Sequence, residues 1–195
     1  AQTEPSVAEQ ARIYGEVFAA FPDQKVVVRT LDAGSDKPVP FANHEHEENP
    51  ALGVRGIRLG WTNAGIVERQ LDAIAQAAED TGATDPWVMA PIGATVDEAD
   101  EVAELCRARN LKPGIMVEIP AAALLADRFL AEVDFFSIGT NDLTQYAMAA
   151  DRMSSRLATL TDPWQPAVLR LIQLAADAGG RAGKPVGVCG EAAAD

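Results

Sequence analysis

Along all 195 residues, short apolar runs rich in β-branched side chains alternate with amphipathic helical patterns, and this rhythm constrains the fold more than any other feature. Strands buried in a parallel sheet read as continuous apolar runs, whereas the helices between them keep a 3.6-residue apolar spacing. Ser6, with Glu9 three residues later, predicts a capped helix over Val7–Phe21. KVVVRT (25–30) reads as a buried strand and Gly56–Gly60 as a second, followed by a helix with Val67, Leu71, Ile74, Ala75 and Ala78 on one face. Trp87–Ile92 is the third strand, and Thr95 with Glu98 caps a helix reaching Leu111. Gly114–Ile119 is the fourth strand, with a helix over Ala121–Val133. Phe135–Gly139 is the fifth strand and enters a helix near Asn141. A long helix capped by Asp162 and Pro163 ends at Gly179 and Gly180, and Val186–Cys189 is the sixth strand.

Repeated βα units imply a parallel sheet covered by helices, either open and doubly wound or closed into a barrel. Six units suit an open sheet, because a complete (β/α)8 barrel needs roughly 250 residues. The unusual polar residues argue otherwise. Arg29, Glu118, Asn141, Asp142 and Cys189 each follow a strand, and only in a barrel do all such positions converge on one mouth. The fold class expected is therefore α/β, an incomplete (β/α)8 TIM-type barrel of about six units lacking its first and last strands, occupying 1–195 as one partial domain. Composition narrows the partners. Sixteen Lys and Arg against 29 Asp and Glu leave a net charge of −13, which disfavours nucleic acid. No apolar run reaches the roughly 20 residues of a membrane span, and the opening residues show neither the basic nor the apolar part of a leader. Two cysteines, Cys106 and Cys189, make no disulfide framework, which fits a reducing, cytoplasmic setting.

Several side chains could carry chemistry. Glu118 ends an otherwise apolar strand, GIMVEIP, where a charge is costly unless it is paired or binds a metal. Asn141 and Asp142 stand at a strand-to-helix junction, where they either cap the helix or face an anion. Together Glu118 and Asp142 offer two hard oxygen ligands, which suits Mg²⁺ completed by water and a phosphate-bearing substrate. Arg29, inside a β-branched run, needs an anion partner, either a structural carboxylate or a substrate; Arg55 and Arg152 add two further guanidiniums near loops. Cys189 stands between Val188 and Gly190 at a strand end, with Gly187 close by, whereas Cys106 sits in a helical pattern and reads as buried structure. The run His44-Glu45-His46-Glu47-Glu48 lacks a third ligand at a zinc spacing and reads as a solvated charge run.

DFFSIGTNDLTQYAMAADR (134–152), GIMVEIPAAALLAD (114–127), GVCGEAAAD (187–195), VVVRTLDAGSDKPVP (26–40) and ENPALGVRGIR (48–58) closely resemble the phosphoenolpyruvate-binding domain of the enzyme I family, the phosphoenolpyruvate-protein phosphotransferases of bacterial sugar uptake. Pyruvate phosphate dikinase and phosphoenolpyruvate synthase share the TND and CGE-like patterns, but the Asp-Lys loop and the run ending in Asp151-Arg152 look more like enzyme I. The resemblance implies a barrel in which Glu118 and Asp142 hold Mg²⁺, Arg29, Arg55, Asn141 and Arg152 bind substrate, and Cys189 protonates the enolate. It also implies that the family's first and last barrel strands fall outside this sequence. The phosphoryl-accepting histidine would belong to a separate N-terminal domain that serves a phosphocarrier protein, and the full-length protein would be a homodimer. A regulatory domain that binds phosphoenolpyruvate without chemistry is the alternative, and the joint presence of Glu118, Asp142 and Cys189 argues against it. An aldolase or lyase on the same barrel would not need the cysteine.

Overall fold

The computed structural model describes residues 3–34, 37–42 and 46–194. Its contacts group into two compact units, Ala1–Pro91 with Val102–Pro113, and Ile92–Glu101 with Gly114–Asp195. Among the described residues, one sheet holds five strands in chain order: β1 (Val27–Arg29), β2 (Trp87–Ala90), β3 (Lys112–Val117), β4 (Phe135–Gly139) and β5 (Val186–Cys189). Pairing is parallel, with Val27 opposite Trp87, Gly114 opposite Phe135 and Phe136 opposite Val186. A doubly wound sheet reverses its strand order at a switch point. This order never reverses, which is the winding of a (β/α) barrel, and five strands make it an incomplete one.

In the first unit, α1 (Val7–Ala20) begins with the expected capping box: Ser6 Oγ accepts the Glu9 N–H at 3.2 Å and the Glu9 carboxylate accepts the Ser6 N–H at 2.8 Å. Such a cap contributes about 1 kcal/mol. After α2 (Leu59–Thr62), α3 (Ile66–Thr81) packs on α1 and buries Leu71 and Ile74 completely, each worth about 1.5–3 kcal/mol of apolar transfer. Two expectations fail here. Gly56–Gly60 is not a strand: Gly56 takes φ 59°, and Gly56–Arg58 form a 3-10 turn that runs into α2. A left-handed residue cannot continue an extended run, and the turn carries Arg55 inward to 1% exposure. β1 is not buried either. It is an end strand of the sheet, and Val27 is 41% exposed.

The helix α4 (Val96–Arg107) starts at the predicted cap, where Glu98 accepts the N–H groups of Ala94 and Thr95 and donates its own N–H to Thr95 Oγ1. It ends four residues earlier than the sequence suggested, because Asn110 takes φ 58° in the turn into β3. In the second unit, the single helix expected over Ala121–Val133 is two, α5 (Pro120–Leu124) and α6 (Ala126–Glu132), broken at Leu125 with ψ 22°. Next come α7 (Thr140–Met148) and α8 (Pro166–Ala182). Asp162 does not cap α8; its carboxylate accepts the Trp164 N–H in a local turn, and Pro166 takes the first helical position. The helix runs through Gly179 and Gly180 to Gly183, at φ 64°. Ile115, Phe129, Phe136, Ile138 and Leu143 are among the large fully buried apolar side chains of this unit. No helix among the described residues is long and apolar enough to cross a membrane.

Candidate active site

Glu118 follows β3 directly and is 1% exposed. Its Oε1 accepts the backbone N–H of Ile92 at 2.7 Å. Ile92 is itself buried and holds φ 63°, a left-handed conformation that β-branched residues rarely adopt. Strain of this kind persists only where the surroundings over-determine it. On the β4 side, a Cβ on Gly139 would stand 2.8 Å from Glu118 Oε2 and 3.0 Å from Glu118 Cβ, so close approach demands glycine there.

One residue later α7 begins. Asp142 lies in its first turn, where the helix dipole favours a carboxylate, and is 7% exposed. Arg152 Nε stands 4.0 Å from Asp142 Oδ1, and the Arg152 backbone N–H donates to Gln145 Oε1 at 2.9 Å. Asn141 Oδ1 accepts the Glu191 N–H at 3.1 Å, and Thr140 Oγ1 donates to the Cys189 carbonyl at 3.1 Å. The Cys189 thiol lies against the end of β4: its Sγ accepts from the Ser137 hydroxyl at 3.4 Å and donates to the Ile138 carbonyl at 3.4 Å. The second unit therefore gathers Glu118, Asn141, Asp142, Arg152 and Cys189 around the ends of three adjacent strands.

The first unit gathers the other two arginines around a carboxylate. Asp32 Oδ1 and Oδ2 accept from Arg55 Nε at 3.1 Å and Nη2 at 2.8 Å, a two-pronged pair in which both side chains are 1% exposed. Lys37 Nζ and Arg29 Nη1 stand 3.3 Å and 3.7 Å from the same Oδ2. Burial pushes the Asp32 pKa up, but the hydrogen bonds and charge of Arg55 outweigh that, helped by Lys37, and hold the carboxyl below its ordinary value. Asp32 thus stands beside both arginines and fixes where Arg55 sits. Sequence reasoning missed it, because an aspartate in a turn-rich loop looks solvated. Ile92, Ser137 and Thr140 were missed as well, since their contributions come from a backbone N–H and two ordinary hydroxyls.

Glu118 and Asp142 are both buried carboxylates, the hard oxygen donors that Mg²⁺ takes, and among the described residues no group of three His, Cys, Asp or Glu side chains could hold a metal ion. His46 is exposed, whereas His44 and Glu45 lie outside the described residues. Cys106 is fully buried, and desolvation pushes its thiol up to about 12, consistent with a structural role.

The family model for PEP-utilising enzymes, PEP-binding domain, matches residues 1–195. Phosphoenolpyruvate-protein phosphotransferase of Streptomyces coelicolor is 50% identical over 193 residues, covering 98% of this chain and 34% of that protein. Its counterpart in Listeria monocytogenes is 45% identical over 204 residues, covering 98% of this chain and 35% of that protein. The chain thus spans about a third of the length of these relatives. Among solved structures, an HpcH/Hpal aldolase/citrate lyase family protein from Burkholderia cenocepacia superposes with a TM-score of 0.49 at 19% identity, covering 96% of this chain and 79% of the other. With its whole length matched by the family model and half its residues shared with a phosphotransferase, the chain belongs to the PEP-utilising enzymes, as their PEP-binding domain.

Proposed function

We propose that this chain is the phosphoenolpyruvate-binding part of a longer cytoplasmic phosphoenolpyruvate-protein phosphotransferase, which passes the phosphoryl group to a histidine on another domain and from there to a phosphocarrier protein of sugar uptake. The observation that carries this reading is the setting of Cys189, a thiol held at a strand end beside the start of α7, in the same unit as two buried carboxylates. In the reaction the phosphorus–oxygen bond of phosphoenolpyruvate breaks, phosphorus bonds to the histidine nitrogen, and the enolate keeps the electron pair. Cys189 then gives its Sγ proton to C3 of the enolate, forming pyruvate, and the thiolate recovers a proton from solvent. A thiol placed beside the reacting carbon carries the proton that this step requires.

Arg29, Arg55 and Arg152 serve as clamps for the phosphate and carboxylate of the substrate, with Asp32 and Asp142 fixing the guanidiniums. Asn141, whose Oδ1 is taken by the Glu191 N–H, offers its amide N–H₂ to substrate. Mg²⁺, held by Glu118 and Asp142, would offset the charge of the phosphate and the developing enolate. The complete enzyme, incubated with phosphate-labelled phosphoenolpyruvate and Mg²⁺, is expected to form an acid-labile phosphohistidine with stoichiometric pyruvate, and to pass the label to a phosphocarrier protein. Pyruvate formation without a phosphohistidine, or no reaction at all, would overturn the reading.

A further inference from the structure

We propose that Thr140 is a positioning residue for the Cys189 acid: with Asn141 it clamps the turn Cys189-Gly190-Glu191 onto the start of α7 and so sets where the thiol meets the substrate carbon. Three observations carry this. Thr140, fully buried, donates its hydroxyl to the Cys189 carbonyl at 3.1 Å. Asn141 Oδ1 accepts the Glu191 N–H at 3.1 Å, two residues further along the same turn. Between these bonds, Gly190 holds φ 95°, and a Cβ there would stand 2.5 Å from Thr140 Oγ1 and 3.0 Å from Asn141 Oδ1. Only glycine satisfies both the conformation and the close approach.

The physical need for a clamp follows from the backbone at Gly190. A glycine at φ 95° has no side chain of its own to restrain the turn that carries the cysteine. Proton transfer to carbon needs donor and acceptor in near contact, and a displacement of about 1 Å can cost a hundredfold in rate. Two side-chain hydrogen bonds to the backbone on either side of Gly190 supply that restraint. Asn141 thereby has two tasks, its carbonyl oxygen serving the clamp and its amide serving the substrate. The proposal rests on Cys189 being the acid, and the test separates the two.

In the complete enzyme, Thr140→Val removes the donor at nearly constant volume, and Thr140→Ser keeps it. The first readout is hydrogen–deuterium exchange of the backbone amides of residues 190–193 without substrate. The second is deuterium incorporation into the methyl group of pyruvate, with KM measured alongside. The expected result is faster amide exchange in Thr140→Val, about tenfold less methyl deuteration and KM within about twofold of wild type, with Thr140→Ser close to wild type in both. Gly190→Ala is expected to reproduce the loss and serves if Thr140→Val does not fold. Unchanged amide exchange would overturn the clamp, and unchanged methyl deuteration despite loosened amides would overturn its role in positioning. Wild-type methyl deuteration in Cys189→Ala would sink the acid assignment instead, with the amide readout still deciding whether the clamp exists.

Discussion

The backbone N–H of Ile92 donates to Glu118 Oε1 at 2.7 Å from a left-handed conformation with φ 63°, and both residues are 1% exposed. One carboxylate thus does two things: it satisfies a buried donor and it belongs to the proposed cation pair. The two roles separate by substitution. Glu118→Gln keeps an oxygen for the Ile92 N–H and removes the charge, so the melting temperature should stay within a few degrees of wild type while Mn²⁺ binding, followed by electron paramagnetic resonance, is lost. Glu118→Ala strands the buried N–H at about 1–3 kcal/mol and should lose both stability and Mn²⁺ binding. Wild-type Mn²⁺ binding in Glu118→Gln would remove Glu118 from the cation site.

Asp32 gives a prediction on stability and its pH dependence. With Arg55 and Asp32 both 1% exposed and paired, Asp32→Asn leaves a buried guanidinium short of its counter-charge, and about 3–5 kcal/mol of stability should be lost in urea titrations. The folded pKa of Asp32 lies below its ordinary 3.8, so its contribution is complete above that value and is lost as pH falls through the folded pKa. In the wild type, stability should therefore fall as pH drops below about 4. Asp32→Asn should show a shallower fall in that window, and an identical acid slope would show that the pair is not linked to pH.

The two cysteines should differ chemically. Cys106 is fully buried with its thiol raised to about 12, whereas Cys189 is partly exposed at a strand end. Iodoacetamide at pH 8 should therefore alkylate Cys189 in the folded protein and leave Cys106 unmodified until denaturant is added, as peptide mass mapping would show. Cys106→Ala should leave methyl deuteration of pyruvate unchanged and Cys189→Ala should abolish it with substrate affinity retained. Equal alkylation of the two thiols in the native state would contradict their placement.

What the sequence revealed depended on whether the signal was local. Capping boxes at Ser6–Glu9 and Thr95–Glu98 involve side chains three residues apart, and both appear as read. β4 and β5, short mainly apolar runs with a glycine at or just after their last residue, have the bounds that the sequence predicts. The apolar spacing of Gly56–Gly60 misled because Ile57 and Leu59 also alternate in a strand, and only the positive φ of Gly56 distinguishes the turn. Polar residues unusual for their surroundings, Glu118 and Cys189, could be singled out. Ile92 and Thr140 could not, because a backbone N–H and a hydroxyl become informative only when the fold brings β3 or β5 to them.

The chain by itself should not carry out phosphoryl transfer. Its two histidines, His44 and His46, stand in an acidic run, and a carboxylate-rich setting repels the anion that an accepting histidine must receive. The sheet also ends in β1 and β5, with Val27 41% and Val188 48% exposed, and end strands present unpaired backbone groups that favour association with other chains. The isolated polypeptide should therefore show weak phosphoenolpyruvate binding by calorimetry and concentration-dependent self-association in sedimentation. Labelled phosphoenolpyruvate with Mg²⁺ provides the decisive measurement: the expected outcome is no stable label and no pyruvate beyond the uncatalysed rate. Label retained on His44 or His46, or several turnovers to pyruvate, would mean that the acceptor lies in this chain and not on a separate domain.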